Sequence, residues 1–219
     1  MSKICNKEDI MKQFSDGQTI MIAGFAGTGE PKELTDMLLE SGSRNLTIIS
    51  NDTGYSGDGV GRLFESGQGV KLVCSYIGMD TNALAMIDKK VGSGELELDL
   101  NPQGTLCERI RSGGAGLGGV LTQTGVGTVV EKGKQKIDVY GKTYLLETAL
   151  HADIALIKAW KADTVGNLIY RGTSRTYNPV MATAADIVIV IVDEIVPVGT
   201  LDPEVVVTPG VFVNMIYKK

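Results

Sequence analysis

The order strand, glycine loop, helix, strand between residues 19 and 50 constrains this chain more than any other feature. Thr19-Ile20-Met21-Ile22-Ala23 is a short apolar run of the kind that forms a buried strand, and the turn signal Asp16-Gly17 leads into it. Gly24-Phe25-Ala26-Gly27-Thr28-Gly29 follows as a loop. Pro31 suits the first helical position, Leu34, Met37 and Leu38 share a face, and Ser41-Gly42 stops the helix before a second strand, Leu46-Thr47-Ile48-Ile49-Ser50. Two strands joined through a helix run parallel, with a right-handed crossover. An α/β class follows.

The alternation continues beyond this unit. Strands are predicted over 70–75 and, from the alternating Glu95-Leu96-Glu97-Leu98-Asp99-Leu100, over 95–100, with a helix over 82–89 between them. Pro102-Gln103-Gly104 opens a helix through Arg111, after which the glycine-dense stretch 113–127 interrupts the pattern. Lys136-Ile137-Asp138-Val139-Tyr140 and Thr143-Tyr144-Leu145-Leu146 flank Gly141-Lys142 and read as a hairpin. A strand over 153–159, a turn over 163–166, a helix near 179–185, a strand over 187–192 and a last strand within 211–217 complete the series. Upstream, Ile10, Met11 and Phe14 have helical spacing. No repeat or linker marks a boundary, so one domain over residues 1–219 is expected.

Composition narrows the function. With 21 basic against 26 acidic residues, a net charge of -5 and no basic block longer than a pair, a nucleic-acid surface is not expected. The longest apolar stretch, 187–192, is far short of the roughly 20 residues that span a bilayer. The charged N-terminus lacks a secretory apolar run, and Cys5, Cys74 and Cys107 occur singly, so a reducing, cytoplasmic setting with inert thiols is expected. One histidine, His151, three scattered cysteines and no carboxylate triad offer no metal site, and without a Gly-x-Ser-x-Gly elbow His151 reads as structural.

Three glycine patterns compete. Gly141-Lys142-Thr143 imitates the end of a P-loop, but Lys136 stands where that motif needs glycine. Gly114, Gly116 and Gly119 fit Gly-x-Gly-x-x-Gly, yet follow a helix where a dinucleotide fold needs a strand. The loop after residue 23 follows a strand and precedes a helix, a position that favours a phosphate or pyrophosphate, or forms a plain turn.

Several segments together decide the reading. Asp16-Gly17-Gln18-Thr19-Ile20-Met21-Ile22-Ala23-Gly24-Phe25 with Gly29-Glu30-Pro31 resembles the N-terminal signature of family I 3-oxoacid CoA-transferase A subunits. Ser50-Asn51-Asp52-Thr53, Gly94-Glu95-Leu96-Glu97, Pro102-Gln103-Gly104-Thr105-Leu106, Glu108-Arg109-Ile110-Arg111, Gly113-Gly114-Ala115-Gly116, Thr124-Gly125-Val126-Gly127-Thr128, Ala155-Leu156-Ile157-Lys158-Ala159 and Asn178-Pro179 look like family segments in family order. The likeness runs from about residue 8 to about residue 214 and is nearest to acetate- or butyrate-acetoacetate transferase subunits.

The resemblance implies an open three-layer α/β fold, a mostly parallel sheet with a small β-hairpin insertion. It implies that Ala23, Gly24, Phe25, Ala26, Gly27, Thr28 and Gly29 form the loop that binds coenzyme A as substrate, that Gln103 holds the thioester oxygen, and that Asn51 sits nearby. Ala23 stands where the family usually has glycine, which implies a snugger or shifted contact. The family's nucleophile is a glutamate in a Ser-Glu-Asn-Gly segment of the homologous B subunit. This chain contains no such segment, so the expected assembly is a heterotetramer of two A and two B chains acting on acyl-CoA and small carboxylic acids. Two rival readings use the same loop: a sugar-phosphate isomerase or hydrolase, and an acyl-CoA-binding sensor without catalysis.

Overall fold

The computed structural model describes residues 3–219. Helix α1 (Lys7–Met11) precedes strand β1 (Thr19–Ile22), helix α2 (Lys32–Ser41), strand β2 (Leu46–Ile49), helix α3 (Gly61–Glu65), strand β3 (Gly69–Cys74), helix α4 (Thr81–Ser93) and strand β4 (Glu97–Leu100). Helix α5 (Gln103–Gly114) leads into β5 (Gly119–Thr122), β6 (Lys136–Val139) and β7 (Lys142–Thr148). Strands β8 (Ala152–Asp163) and β9 (Leu168–Ile169), helix α6 (Asn178–Met181), and strands β10 (Ala185–Val196) and β11 (Met215–Lys218) finish the chain.

The main sheet runs β11-β10-β8-β1-β2-β3-β4, with β9 paired to β8. Every pair along it is parallel, and only the β8–β9 pair is antiparallel. Side chains alternate across a pleated strand, so each central strand feeds two cores. Met21, Ala155, Ile157, Val188 and Val190 face one side, where Leu106 and Ile110 of α5 and Val180 and Met181 of α6 cover them. Ile20, Ile22, Ile154, Leu156, Ile189 and Ile191 face the other, under Ile10, Leu34, Leu38, Leu63, Phe64 and Ile87 of α1 to α4. Those two helical layers and the sheet are the expected three layers. Burying each large aliphatic side chain contributes about 1.5–3 kcal/mol, which is why these strands are apolar on both faces.

The structure corrects several local expectations. Pro31 is the N-cap of α2, not its first helical residue, and makes no side-chain capping bond. Helix α6 has four residues instead of the span near 179–185, because the chain enters β10 at Ala185. Strands β8 and β10 each run 12 residues, well past their apolar centres, since ten residue pairs continue the parallel ladder out to Asp163 and Val196. The final strand starts only at Met215, after a turn of 3-10 helix over Gly210–Phe212.

The hairpin insertion is present and larger than expected. Strands β6 and β7 meet at Tyr140-Gly141, whose φ values of 51° and 75° give the two left-handed residues of a type I′ turn. Strand β5, hidden in the glycine-dense stretch, joins β7 to make a three-stranded antiparallel sheet in the order β5-β7-β6. Among the described residues no helix is long and apolar enough to cross a membrane, and no group of three or more His, Cys, Asp or Glu is placed to hold a metal ion. Cys74 is buried while Cys5 and Cys107 are half-buried, and burial raises all three thiols, Cys5 to about 11 and Cys74 to about 12.

Candidate active site

Parallel register brings the site together. Met21, Ile49, Val73 and Asp99 lie in one row across β1 to β4. The residues just past that row leave the carboxyl ends of adjacent strands, where open α/β sheets bind ligands. The ladder continues there: Ser50 N–H donates to Val73 O at 3.1 Å, Ser75 N–H to Asn51 O at 3.0 Å, and Asn101 N–H to Cys74 O at 2.8 Å. Asn51, Ser75 and the Asn101–Gln103 turn are thereby lined up at one edge.

Gln103 and Asn51, 52 positions apart in sequence, touch: Gln103 Nε2 donates to Asn51 Oδ1 at 2.9 Å. The Ser75 hydroxyl donates to the same oxygen at 2.9 Å. Two anchors fix Gln103 from behind. The Tyr177 hydroxyl donates to its carbonyl at 3.1 Å, and Arg109 holds the preceding turn through Asn101 Oδ1 at 2.6 Å and Asp99 Oδ2 at 3.1 Å. The Gln103 side chain is exposed while Asn51 and Asp52 are buried. A groove of about 350 Å³ opens over them, with Asn51, Asp52, Ser75 and Gln103 on its polar side and Phe25, Tyr76 and Met79 on its apolar side.

The glycine loop forms the near wall. Ala26 and Gly27, at φ 49° and 79°, make a tight turn closed by Phe25 N–H to Thr28 O at 3.0 Å and Thr28 N–H to Phe25 O at 2.8 Å. The Ala26 N–H donates to Asp52 Oδ2 at 2.9 Å. Three of the loop's amides are therefore used within the protein, and residues 25–28 form a closed turn. Phe25 and Thr28 are exposed, Ala26 and Gly27 half-buried, and Gly24 and Gly29 buried. The extra methyl of Ala23 is buried in the apolar cluster on the α5 side of the sheet.

Under the loop sits Glu30, a residue whose chemistry the sequence did not advertise. Its carboxylate is 7% exposed and Oε1 has no hydrogen-bond partner. A Cβ at Gly59 would come within 3.0 Å of both its oxygens, so glycine there makes room for the carboxylate. Burial raises Glu30 to about 7, with Asp58 and Asp52 pushing the same way against Lys32 and Arg62. At the far end, the buried amide of Asn178 donates to Gly29 O and Ser174 O, both at 3.0 Å, tying the loop to the turn before α6. His151 is exposed at the foot of β8, away from the groove lining.

Asp52, Ser75, Tyr76 and Met79 escaped the sequence reading. A usable signal existed: each closely follows the C-terminal end of a strand of a parallel sheet, where sites gather.

A parallel sheet between helical layers, with polar side chains at the carboxyl ends of three adjacent strands, defines an α/β ligand-binding protein. The comparisons specify which: the chain matches the Coenzyme A transferase family model over residues 6–219 and belongs to that family. It is 50% identical to the acetoacetyl-CoA:acetate/butyrate CoA transferase alpha subunit of Clostridium acetobutylicum, covering 100% of this chain and 98% of that subunit. To the acetate CoA-transferase subunit alpha of Escherichia coli it is 49% identical, over 98% and 96% of the two chains. In three dimensions it resembles glutaconate coenzyme A-transferase from Acidaminococcus fermentans, with a TM-score of 0.87, 20% identity, and coverage of 99% of this chain and 75% of that one. An E. coli acyl-CoA transferase solved as a thioester complex with CoA gives a TM-score of 0.85 at 22% identity. This chain spans about half of that longer chain, 47%. Neither the sugar-phosphate isomerase reading nor the sensor reading is supported by these likenesses.

Proposed function

We propose that the chain is the alpha-type subunit of a two-chain transferase that moves CoA between short-chain acyl-CoA and acids such as acetate, butyrate or acetoacetate. The nucleophile in this reading is a glutamate in a Ser-Glu-Asn-Gly segment of a homologous B chain, in a heterotetramer of two chains of each kind. The chain acts as one domain, a reading supported by the sheet that runs unbroken from β4 to β11.

The groove over Asn51 and Gln103 carries the proposal. One wall offers amide and hydroxyl groups, the other Phe25, Tyr76 and Met79, and none of its seven lining residues is Lys, Arg or His. A short acyl chain fits an apolar wall beside a hydrogen-bonding wall, whereas a second carboxylate, as in succinyl-CoA, would lie beside Asp52 without a cation. The turn 25–28 borders the same groove and supports a CoA contact there.

In the reaction, the partner's carboxylate attacks the thioester carbonyl and negative charge grows on its oxygen. Gln103, already donating one N–H to Asn51, has a second N–H on the same nitrogen to place on that oxygen. CoA thiolate leaves, giving a mixed anhydride, and then attacks the glutamyl carbonyl to release the first acid and form a glutamyl-CoA thioester. The acceptor acid reverses these steps.

Reconstitution tests the assignment. The isolated chain should be inactive and gain activity when mixed with its B chain; full activity alone would end the proposal. In the reconstituted enzyme Gln103→Ala should lower kcat and kcat/KM together by about 100-fold or more, with CoA affinity nearly unchanged. A folded variant with near-normal kcat would instead make Gln103 a residue that merely starts α5.

A further inference from the structure

Asp52 takes no part in the chemistry above, yet its carboxylate is the most heavily used side-chain acceptor lining the groove. Its Oδ2 accepts from the Ala26 amide at 2.9 Å and from Asn51 Nδ2 at 2.7 Å, and its Oδ1 accepts from the Gly54 amide at 2.9 Å. An ionised carboxylate has no hydrogen to give, so each group facing it must be a donor. Asn51 therefore has one permitted orientation, NH2 toward Asp52 and Oδ1 away. That oxygen is the one that accepts from Gln103 Nε2 and the Ser75 hydroxyl, both at 2.9 Å. Gln103, which lines the groove, must in turn point its NH2 at Asn51, which leaves the second N–H on the same nitrogen as a donor for a ligand.

We propose that Asp52 is a positioning residue whose carboxylate sets the direction of the hydrogen-bond chain through Asn51 and so fixes Gln103 as a donor at the reacting oxygen, while the same carboxylate holds the glycine loop at Ala26. The inference rests on the reading of Gln103 as that donor. Burial makes the relay directional: Asn51 and Asp52 are only 3% and 7% exposed, so bulk water cannot easily substitute for a lost partner. With asparagine at position 52, one carbonyl and one NH2 would face three donors, and at least one pairing would become donor against donor. Asn51 could then turn its NH2 to Gln103, which would answer with Oε1. An oxygen lone pair would then face the thioester oxygen where an N–H is needed.

A double-mutant cycle on the reconstituted enzyme tests this. Asp52→Asn should lower kcat and kcat/KM by about 10- to 100-fold, and Gln103→Ala by about 100-fold. In kcat the double variant should be no slower than Gln103→Ala within about 3-fold, because the relay has nothing left to orient. A merely structural Asp52 predicts losses that multiply, to about 1,000-fold or more, and that result overturns the proposal, as does near-normal kcat in Asp52→Asn. If Asp52→Asn fails to assemble, Asp52→Ala runs the same cycle, since it removes every acceptor that sets the orientation of Asn51. Normal activity in Gln103→Ala would break the reading of Gln103 itself; a slow Gln103→Ala beside a normal Asp52→Asn would break only the relay.

Discussion

The two glycine-rich stretches, 24–29 and 113–127, look alike in sequence and behave differently in the fold. The first leaves the carboxyl end of β1 in the middle of the parallel sheet, turns at Ala26-Gly27, and borders the groove with Asn51 and Gln103. The second carries the chain from the end of α5 into the small antiparallel sheet. Several of its glycines serve close packing: a Cβ at Gly113 would overlap the Leu150 carbonyl oxygen, and one at Gly119 the Glu147 carbonyl oxygen. Glycine content alone marks places where backbone approaches backbone or φ turns positive. Position relative to the sheet decides whether such a place is a site.

The difference can be tested first through Glu30, because the first stretch covers a buried carboxylate. Its folded-state value of about 7 lies above the ordinary 4.5, so the folded protein binds this proton more tightly than the unfolded chain. The contribution is fully present below about 4.5 and is lost as pH rises through about 7, a change of about 3 kcal/mol. Urea unfolding of the assembled enzyme at several pH values should show this slope, and Glu30→Gln, which stays neutral, should remove it. An unchanged slope would mean that Glu30 is solvated.

Next come paired valine substitutions, one in each stretch. At Gly29 a Cβ would overlap the Ser174 carbonyl oxygen at a φ of +71°, and at Gly113 it would overlap Leu150, so each variant should lose about 2–3 kcal/mol of stability. Only Gly29→Val should also weaken CoA binding. Equal kinetic damage from Gly113→Val would erase the contrast.

Gly27 separates strain from packing. Its added Cβ would meet nothing within 4 Å, but its φ is +79°, so Gly27→Val should cost only about 1–2 kcal/mol while weakening CoA binding about 10-fold. Isothermal titration with CoA measures the second effect, and unchanged affinity would reduce the loop to a plain turn. Smallest of all, Gly116→Ala, at φ +69° with open space around it, should cost about 1 kcal/mol and leave the kinetics alone.

By itself the sequence determined the parallel class and the order of most elements, though not helix α3 or strands β5 and β9, because apolar runs such as 20–23 and 187–192 can be satisfied only by burial on both faces. It also located the loop after β1, the turn before α5 and the hairpin, whose turn falls at Tyr140-Gly141, one residue before the expected Gly141-Lys142, all marked by glycine or proline chemistry that acts locally. Gln103 and Asn51 were named from the family likeness, not from periodicity. Only the tertiary structure brought them within 2.9 Å, since that contact depends on the register of β2 against β3 and β3 against β4. The same holds for Asp52 holding Ala26, for Glu30 buried under the loop, and for β5, whose four residues become a strand only beside β7. Local propensity acts over a few neighbouring residues, whereas a hydrogen bond between residues 26 or 52 positions apart exists only after the parallel ladder has aligned the strand ends.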